Sequence, residues 1–380
     1  MEKYNIIATC NMGLEAVLKR ECMDLGFSNI KSENGRIIFQ GGPLEIAKAN
    51  VHLRTCERVL VEVNSFSCFS FEELYQGVKN INWENFIDED SNFVVNGRSK
   101  NSKLFSIRDC QSISEKAIVD KLKAHYKKDW FSKTGARMDI EISLDKDVAS
   151  ITIDTSGQGL HKRGYRARNF KAPISETIAA ALVMLSYWNK NRILVDPFCG
   201  SGTIVIEAAM IGKNIAPGLT RKFAGENFKF IGQDFFKTVK KDAYAMIDYK
   251  SNLTIYASDI ERKAIEIAKE NAEILGLEDD INFFQKDIFD LDLGGDFGVV
   301  ITNPPYGIRL EEKQRVSELE AELGKLYRHL KNWSFYIITA NEDFQENFKQ
   351  KAKRNRKLYN GRLKTYYYQY PGPKPNDLRG

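Results

Sequence analysis

The chain has 380 residues, 43% of them hydrophobic and 28% charged, which is too long for one small core and too apolar for a disordered chain, so two or three soluble domains are expected. A formal net charge of +5 suits an anionic partner without requiring one. The six cysteines and four histidines are scattered, with no C-x-x-C pair, so neither a zinc site nor a disulfide framework is suggested and reduced thiols in a cytoplasm fit best.

The N-terminus runs into Ile6-Ile7-Ala8, far shorter than a signal-peptide core, and no apolar run reaches the roughly 18 residues of a membrane span. Tyr4 to Thr9 reads as a strand, Leu14 to Asp24 as a helix, and Lys31 to Phe39 as a hairpin turning at Glu33-Asn34-Gly35. A helix from Pro43 to Asn50 and a strand from Val59 to Val63 complete a small α+β unit, residues 1–64.

A second α+β unit, residues 65–157, is expected from a helix at Phe71 to Val78, a strand at Phe93 to Gly97, a helix at Ile113 to Tyr126, and alternating strands at Met138 to Ile142 and Val148 to Ile153. Between them, Arg98, Lys100 and Lys103 lie in a polar basic segment that reads equally as a phosphate-tracking loop or a solvated one. A second basic stretch, Leu160 to Arg168, marks a junction, and its Lys162, Arg163 and Arg166 around Tyr165 are, like Arg98, Lys100 and Lys103, candidate RNA contacts.

From residue 158 to 380, strands alternate with helices, the pattern of a parallel sheet with crossover helices. Ile193-Leu194-Val195 runs into Asp196-Pro-Phe198-Cys-Gly200-Ser-Gly202-Thr203, a glycine turn opening a helix; such turns let backbone approach a ligand, and this one lacks the lysine of a phosphate loop. Asp259, followed by Ile260, ends the next strand, where a carboxylate can accept from a ribose diol; alone it would be read as a helix cap. Asp287-Ile288 follows the third strand, with a carboxylate for an adenine amino group and an apolar cover for its ring.

The fourth strand runs from Phe297 to Thr302 into Asn303-Pro304-Pro305-Tyr306. A base amino group is a poor nucleophile because its lone pair is delocalised into the ring. The Asn303 side-chain oxygen and the Pro304 carbonyl can accept its two hydrogens and aim the lone pair at a sulfonium methyl. Prolines remove backbone donors and stiffen the turn, and Tyr306 offers a face for an extruded base. Cys199 beside the loop has no evident general base, so a covalent role is not expected. The basic run from Lys349 to Lys357, with Arg362 and the tyrosines after it, reads either as an RNA-facing surface or as a solvated helix followed by an edge strand.

On these motifs, residues 193 to 306 resemble the class I (Rossmann-like) S-adenosylmethionine-dependent methyltransferases that modify exocyclic amines, with an insertion of about 40 residues between the first helix and the second strand. Residues 65–155 resemble a THUMP RNA-binding domain, and the first 65 resemble the ferredoxin-like unit that accompanies it. Gly13-Leu14-Glu15, Leu53-Arg54-Thr55, Leu160 to Arg166, and Ala172-Pro173-Ile174 with Glu176-Thr177 belong to the same likeness. Together they are similar to the bacterial 23S ribosomal RNA guanine-N2 methyltransferase family.

The resemblance implies S-adenosyl-L-methionine as cofactor, bound by Asp196, Phe198, Gly200, Gly202, Asp259, Ile260, Asp287 and Ile288, with Thr177 near its methionine end. It implies catalysis by Asn303, Pro304, Pro305 and Tyr306 and an RNA substrate, 23S rRNA or a large-subunit assembly intermediate. A transfer RNA guanine-N2 methyltransferase, a DNA adenine-N6 methyltransferase and a non-catalytic ribosome-assembly factor stay open at this point.

Overall fold

The computed structural model describes residues 3–166, 173–307, 313–361 and 363–373. Ala172, Arg168 and Arg362 of the motifs above lie outside them. The chain divides into two compact units, one made of the residues up to Cys10, Leu18–Leu160 and Arg221–Asp242, the other of Asn11–Val17, His161–Thr220 and the residues from Ala243 on.

The first half contributes, in order, β1 (Tyr4–Thr9), α1 (Glu15–Asp24), β2 (Ser28–Glu33), β3 (Arg36–Gly41), α2 (Pro43–His52), β4 (Arg58–Ser67), α3 (Phe71–Lys79), β5 (Asn92–Lys100), α4 (Ile107–Tyr126), β6 (Arg137–Asp145) and β7 (Val148–Asp154). The seven strands form one continuous sheet, ordered β2-β3-β1-β4-β7-β6-β5, in which the β5–β6 pair is parallel and the others antiparallel. The ferredoxin-like and THUMP-like segments therefore share a sheet through β4–β7 pairing, which no local pattern in either segment announces.

Period-two burial explains β6: Met138, Ile140, Ile142 and Leu144 face the core while Asp139, Glu141 and Ser143 face out. The outward face carries a groove of about 1660 Å³, lined by Lys31 and Arg36 on one side and Arg98, Lys100 and Ser143 on the other.

The second half contributes α5 (Glu176–Leu185), β8 (Leu194–Asp196), α6 (Thr203–Gly212), α7 (Gln233–Ala245), β9 (Ile255–Asp259), α8 (Arg262–Glu273), β10 (Ile281–Gln285), β11 (Val299–Thr302), α9 (Lys313–His329), β12 (Ser334–Thr339), α10 (Phe344–Phe348), β13 (Arg354–Asn360) and β14 (Leu363–Tyr370). Their sheet is ordered β10-β9-β8-β11-β12-β14-β13, parallel through β12, with β14 inserted antiparallel and β13 as the edge. β11 and β12 are buried at every position, as central strands covered on both faces must be. The chain order reverses between β8 and β11, and open α/β sheets bind ligands beyond the strand ends at such a reversal.

The long insertion after α6 belongs largely to the first unit. There Gly225 N–H donates to the Thr155 carbonyl at 2.9 Å, the Arg221 guanidinium donates to the Gly159 carbonyl at 2.8 Å, and the Phe230 ring packs edge-on against Phe86 and Tyr4.

Three expectations are corrected. Arg98, Ser99 and Lys100 are strand rather than loop, because β5 continues along β6 as far as the Lys100–Asp145 pair. Of the helix and edge strand expected from Lys349 on, the helix is absent, since α10 stops at Phe348, while the edge strand is present as β13. The C-terminal tyrosines 367, 368 and 370 are buried, with the Tyr367 hydroxyl bonded to the Leu182 carbonyl at 2.7 Å, so they build the core instead of facing RNA.

Candidate active site

β8 delivers its last residue, Asp196, to the strand reversal. One Asp196 oxygen accepts from the Thr302 hydroxyl at 2.6 Å and from the Phe198 N–H at 3.1 Å. Thr302 is the last residue of β11, so this bond ties the cofactor loop to the strand that carries Asn303. The Asp196 carboxyl is buried, and desolvation pushes its pKa up to about 7, with the Asp259 charge adding to the rise against the two hydrogen bonds. Among the described residues no cationic side chain pairs with it.

The loop that follows is held to β9 by Cys199 N–H to the Ser258 carbonyl at 2.9 Å and by Gly200 N–H to Asp259 Oδ2 at 3.0 Å. Gly200 has φ +53° and Gly202 φ +82°, the left-handed region that favours glycine. A Cβ on Gly202 would sit 3.1 Å from the Ala268 Cβ of α8, whereas one on Gly200 would meet nothing within 4 Å, so the outer side of the loop leaves room for a ligand. Asp259 Oδ1 accepts the Glu261 N–H at 2.9 Å; carboxylate oxygens take more than one hydrogen bond, so a ribose diol is compatible with this placement.

Asp287 follows β10 and caps a short 3-10 turn through Phe289 N–H at 3.2 Å, while its other oxygen faces Arg315 at 3.3 Å. Ile260 is largely exposed beside Asp259. Ile288 departs from expectation: it is 3% exposed and packs into the core with Val195, Val300 and Leu323, so it cannot present a face to adenine. Phe289, half exposed with the Arg315 guanidinium 4.9 Å from its ring centre, is the apolar surface the structure offers there.

Asn303 and Tyr306 are half-buried, Pro304 is buried and Pro305 exposed. The Tyr306 hydroxyl donates to Asn303 Oδ1 at 2.5 Å, and burial raises the Tyr306 pKa well beyond its ordinary value. The hydroxyl therefore stays protonated and fixes the Asn303 amide with its oxygen toward the tyrosine. A carbonyl oxygen has a second lone pair for an incoming amino group.

Thr177 is fully buried in the first turn of α5, its hydroxyl 2.8 Å from that of Ser175. Of the basic residues expected on RNA, Arg163 is corrected outright. Its guanidinium is buried against Glu207 of α6 at 3.3 Å, and the Tyr165 hydroxyl donates to the same carboxylate oxygen at 3.2 Å. Arg166 turns inward as well, donating to the Ile174 carbonyl at 2.7 Å and the Thr203 hydroxyl at 3.2 Å and facing Glu176 at 3.3 Å. Lys162, Arg98, Lys100 and Lys103 are exposed, with Arg98 bonded to Glu141 at 3.0 Å and Ser143 at 2.9 Å.

Sequence reasoning missed Thr302, Glu207, Arg315 and Phe289. Thr302 was within reach, since a threonine ending the strand beside Asp196 has its hydroxyl at the same level of the sheet. The other three act through side-chain directions that spacing alone does not give.

The site suits S-adenosylmethionine, whose sulfonium and ammonium groups would bring positive charge to the buried Asp196 carboxylate, which no cationic side chain among the described residues pairs with. Comparison with known proteins agrees. Residues 163–369 match the RMKL-like methyltransferase domain, residues 5–60 the RlmL ferredoxin-like domain, and residues 68–154 the THUMP domain.

The chain is 50% identical over 372 residues to the putative RNA methyltransferase YpsC of Bacillus subtilis, covering 97% of this chain and 96% of that one. It is 32% identical over 372 residues to the ribosomal RNA large subunit methyltransferase K/L of Syntrophotalea carbinolica, covering 94% of this chain and 52% of that protein, so it spans about half of that longer relative. The solved structure of SMU.472, a putative methyltransferase complexed with SAH, superposes with a TM-score of 0.94 at 41% identity, covering 99% of this chain and 100% of that one. With its RlmL-type ferredoxin-like and THUMP modules ahead of a S-adenosylmethionine-dependent methyltransferase domain, the chain belongs to the RMKL-like methyltransferase family.

Proposed function

We propose that this protein methylates the exocyclic N2 of a guanine in 23S ribosomal RNA by direct displacement. The observation that carries the chemistry is the Thr302–Asp196 bond, which fastens the start of Asn303-Pro304-Pro305-Tyr306 to the cofactor loop. S-adenosylmethionine, when bound, supplies an electrophilic methyl group on sulfur. Asn303 Oδ1 and the Pro304 carbonyl would accept the two amino hydrogens, favouring a pyramidal nitrogen and aiming its lone pair toward that methyl group. The protonated product amine then gives its extra proton to solvent, so no strong base is needed before the displacement. Tyr306 keeps the Asn303 amide oriented and lays its ring against the extruded base.

RNA as substrate is supported by the THUMP match; the groove over the N-terminal sheet adds Lys31, Arg36, Arg98 and Lys100 to its lining beside Glu33, Glu62 and Asp145. The large-subunit assignment draws on the likeness to the K/L enzyme, whose printed name concerns that RNA. Labelled methyl transfer to unmodified 23S, 16S and transfer RNA, followed by nucleoside analysis, tests both levels. N2-methylguanosine confined to 23S RNA is expected; N6-methyladenosine or a transfer RNA product overturns the assignment.

A further inference from the structure

We infer that two exposed phenylalanines at one end of the THUMP domain, Phe69 and Phe105, form with Lys103 a stacking platform for unpaired RNA nucleotides. The Phe105 ring is 83% exposed and the Phe69 ring 49% exposed, and the Lys103 ammonium lies 5.0 Å from the Phe69 ring centre. This deepens the RNA reading above and rests on it.

What separates these rings from ordinary surface phenylalanines is how firmly their backbones are held. Cys68 N–H donates to the Asp147 carbonyl at 2.8 Å, and Phe69 N–H donates to Glu73 Oε2 at 2.6 Å. On the neighbouring loop, Lys103 N–H donates to Asp147 Oδ1 at 2.7 Å, and the Ser102 hydroxyl accepts the Asp147 N–H at 3.0 Å. The Ser99 hydroxyl donates to the Leu104 carbonyl at 2.6 Å, and the Leu104 side chain is buried. Asp147 thus pins both loops at once, and the Glu73 and Asp147 carboxylates are engaged by backbone N–H groups.

Lys100, Lys103, Arg108 and Lys146 are exposed on the segments that carry the rings, alongside Glu72, Asp109 and Asp145. Rigid aromatic faces with a lysine ammonium against one of them suit a flexible strand of unstacked bases, since each base has a π-face and each phosphate a charge to neutralise. A paired helix offers neither its base faces nor room for the rings, so the platform discriminates single strands, loops and bulges from duplex. It has no share in the methyl-transfer site.

Fluorescence anisotropy with the full chain tests this, using a labelled 12-nucleotide oligoadenylate, an oligouridylate and a 12-base-pair RNA duplex. In F69S/F105S, single-strand affinity should fall roughly 10- to 100-fold, the range that loss of one or two stacking contacts produces. Duplex affinity and the slope of log affinity against log salt should hold, because no cation is removed. F69W/F105W should restore single-strand binding. Phe105→Ser alone, at a side chain mostly in water, should cost about fivefold without touching the fold.

Unchanged single-strand affinity in the serine variants, or an equal loss on duplex, overturns the platform while leaving RNA as substrate. A wild-type chain that binds none of these probes and no 23S RNA overturns the RNA reading and the platform with it.

Discussion

Cofactor affinity should rise with pH through neutrality, and Asp196 should be the reason. In the ligand-free protein its buried carboxyl titrates at about 7, because desolvation disfavours the charge and no cation among the described residues compensates it. The raised pKa also makes the folded ligand-free protein bind a proton that the unfolded chain releases near pH 4, so this group's contribution to stability is complete below about pH 4 and is lost as pH climbs to about 7. Binding of a ligand whose ammonium pairs with the ionised carboxylate reverses the preference. With a pKa of about 7, roughly 3% of the protein is ionised at pH 5.5 and roughly 90% at pH 8, so affinity should differ by about 30-fold, or about 2 kcal/mol.

Isothermal titration with S-adenosylhomocysteine, which keeps the ammonium and avoids turnover, measures this directly. Glu320 on α9 is also pushed up to about 7 by burial, against hydrogen bonds from Asn341 and Asn347, so pH dependence alone does not identify the group. Asp196→Asn does: it should flatten the profile and bind at pH 8 about as weakly as the wild type does at pH 5.5. A wild-type affinity constant within threefold across this range, or an unchanged slope in the Asn variant, would refute the account.

Other perturbations separate the remaining roles. Asn303→Ala should lower the single-turnover rate by at least about 100-fold, as loss of an oriented acceptor at the reacting centre does, while S-adenosylhomocysteine affinity stays within threefold. Asp259→Ala should weaken that affinity about 10- to 100-fold, because it removes a charged acceptor and also frees the Gly200 N–H it holds; equal affinity losses in both variants would contradict the two roles. Tyr306→Phe should cost no more than about tenfold in rate and Tyr306→Ala far more, if the ring matters above the hydroxyl. Arg163→Met should destabilise the protein by about 3–5 kcal/mol in chemical denaturation by stranding Glu207, and Glu207→Leu added to it should recover most of the loss.

The catalytic domain was legible in the sequence because its information is local. Asp196, Gly200 and Gly202 sit in one turn, Asp259 and Asp287 each end a strand, and Asn303 to Tyr306 are contiguous, so strand-then-turn order was enough to gather them at one edge of a sheet. Boundaries slipped where pairing overrode local composition. Arg98-Ser99-Lys100 is polar enough to read as loop, yet the ladder with β6 carries it as strand to Asp145. Tyr367, Tyr368 and Tyr370 lie in a stretch that reads either as an RNA-facing surface or as an edge strand, yet the antiparallel insertion of β14 beside β12 turns them into core.

The same distinction explains the basic segment from Lys162 to Arg166. A run of cations near an aromatic suggests phosphate contact, but charge has no direction until a helix supplies carboxylates opposite it. Glu207 lies four residues after Thr203, one turn along α6, and Glu176 opens α5. Arg163 meets the first and Arg166 the second, while the Arg166 guanidinium also reaches the Thr203 hydroxyl directly behind Gly202. Two of the three cations therefore brace the starts of α5 and α6, and Lys162 alone keeps an exposed side chain. Basic residues that the sequence reads alike are thus divided by burial: Arg163 and Arg166 turn in to acidic helix positions, and Arg98, Lys100 and Lys103 on the N-terminal sheet and its loop stay exposed.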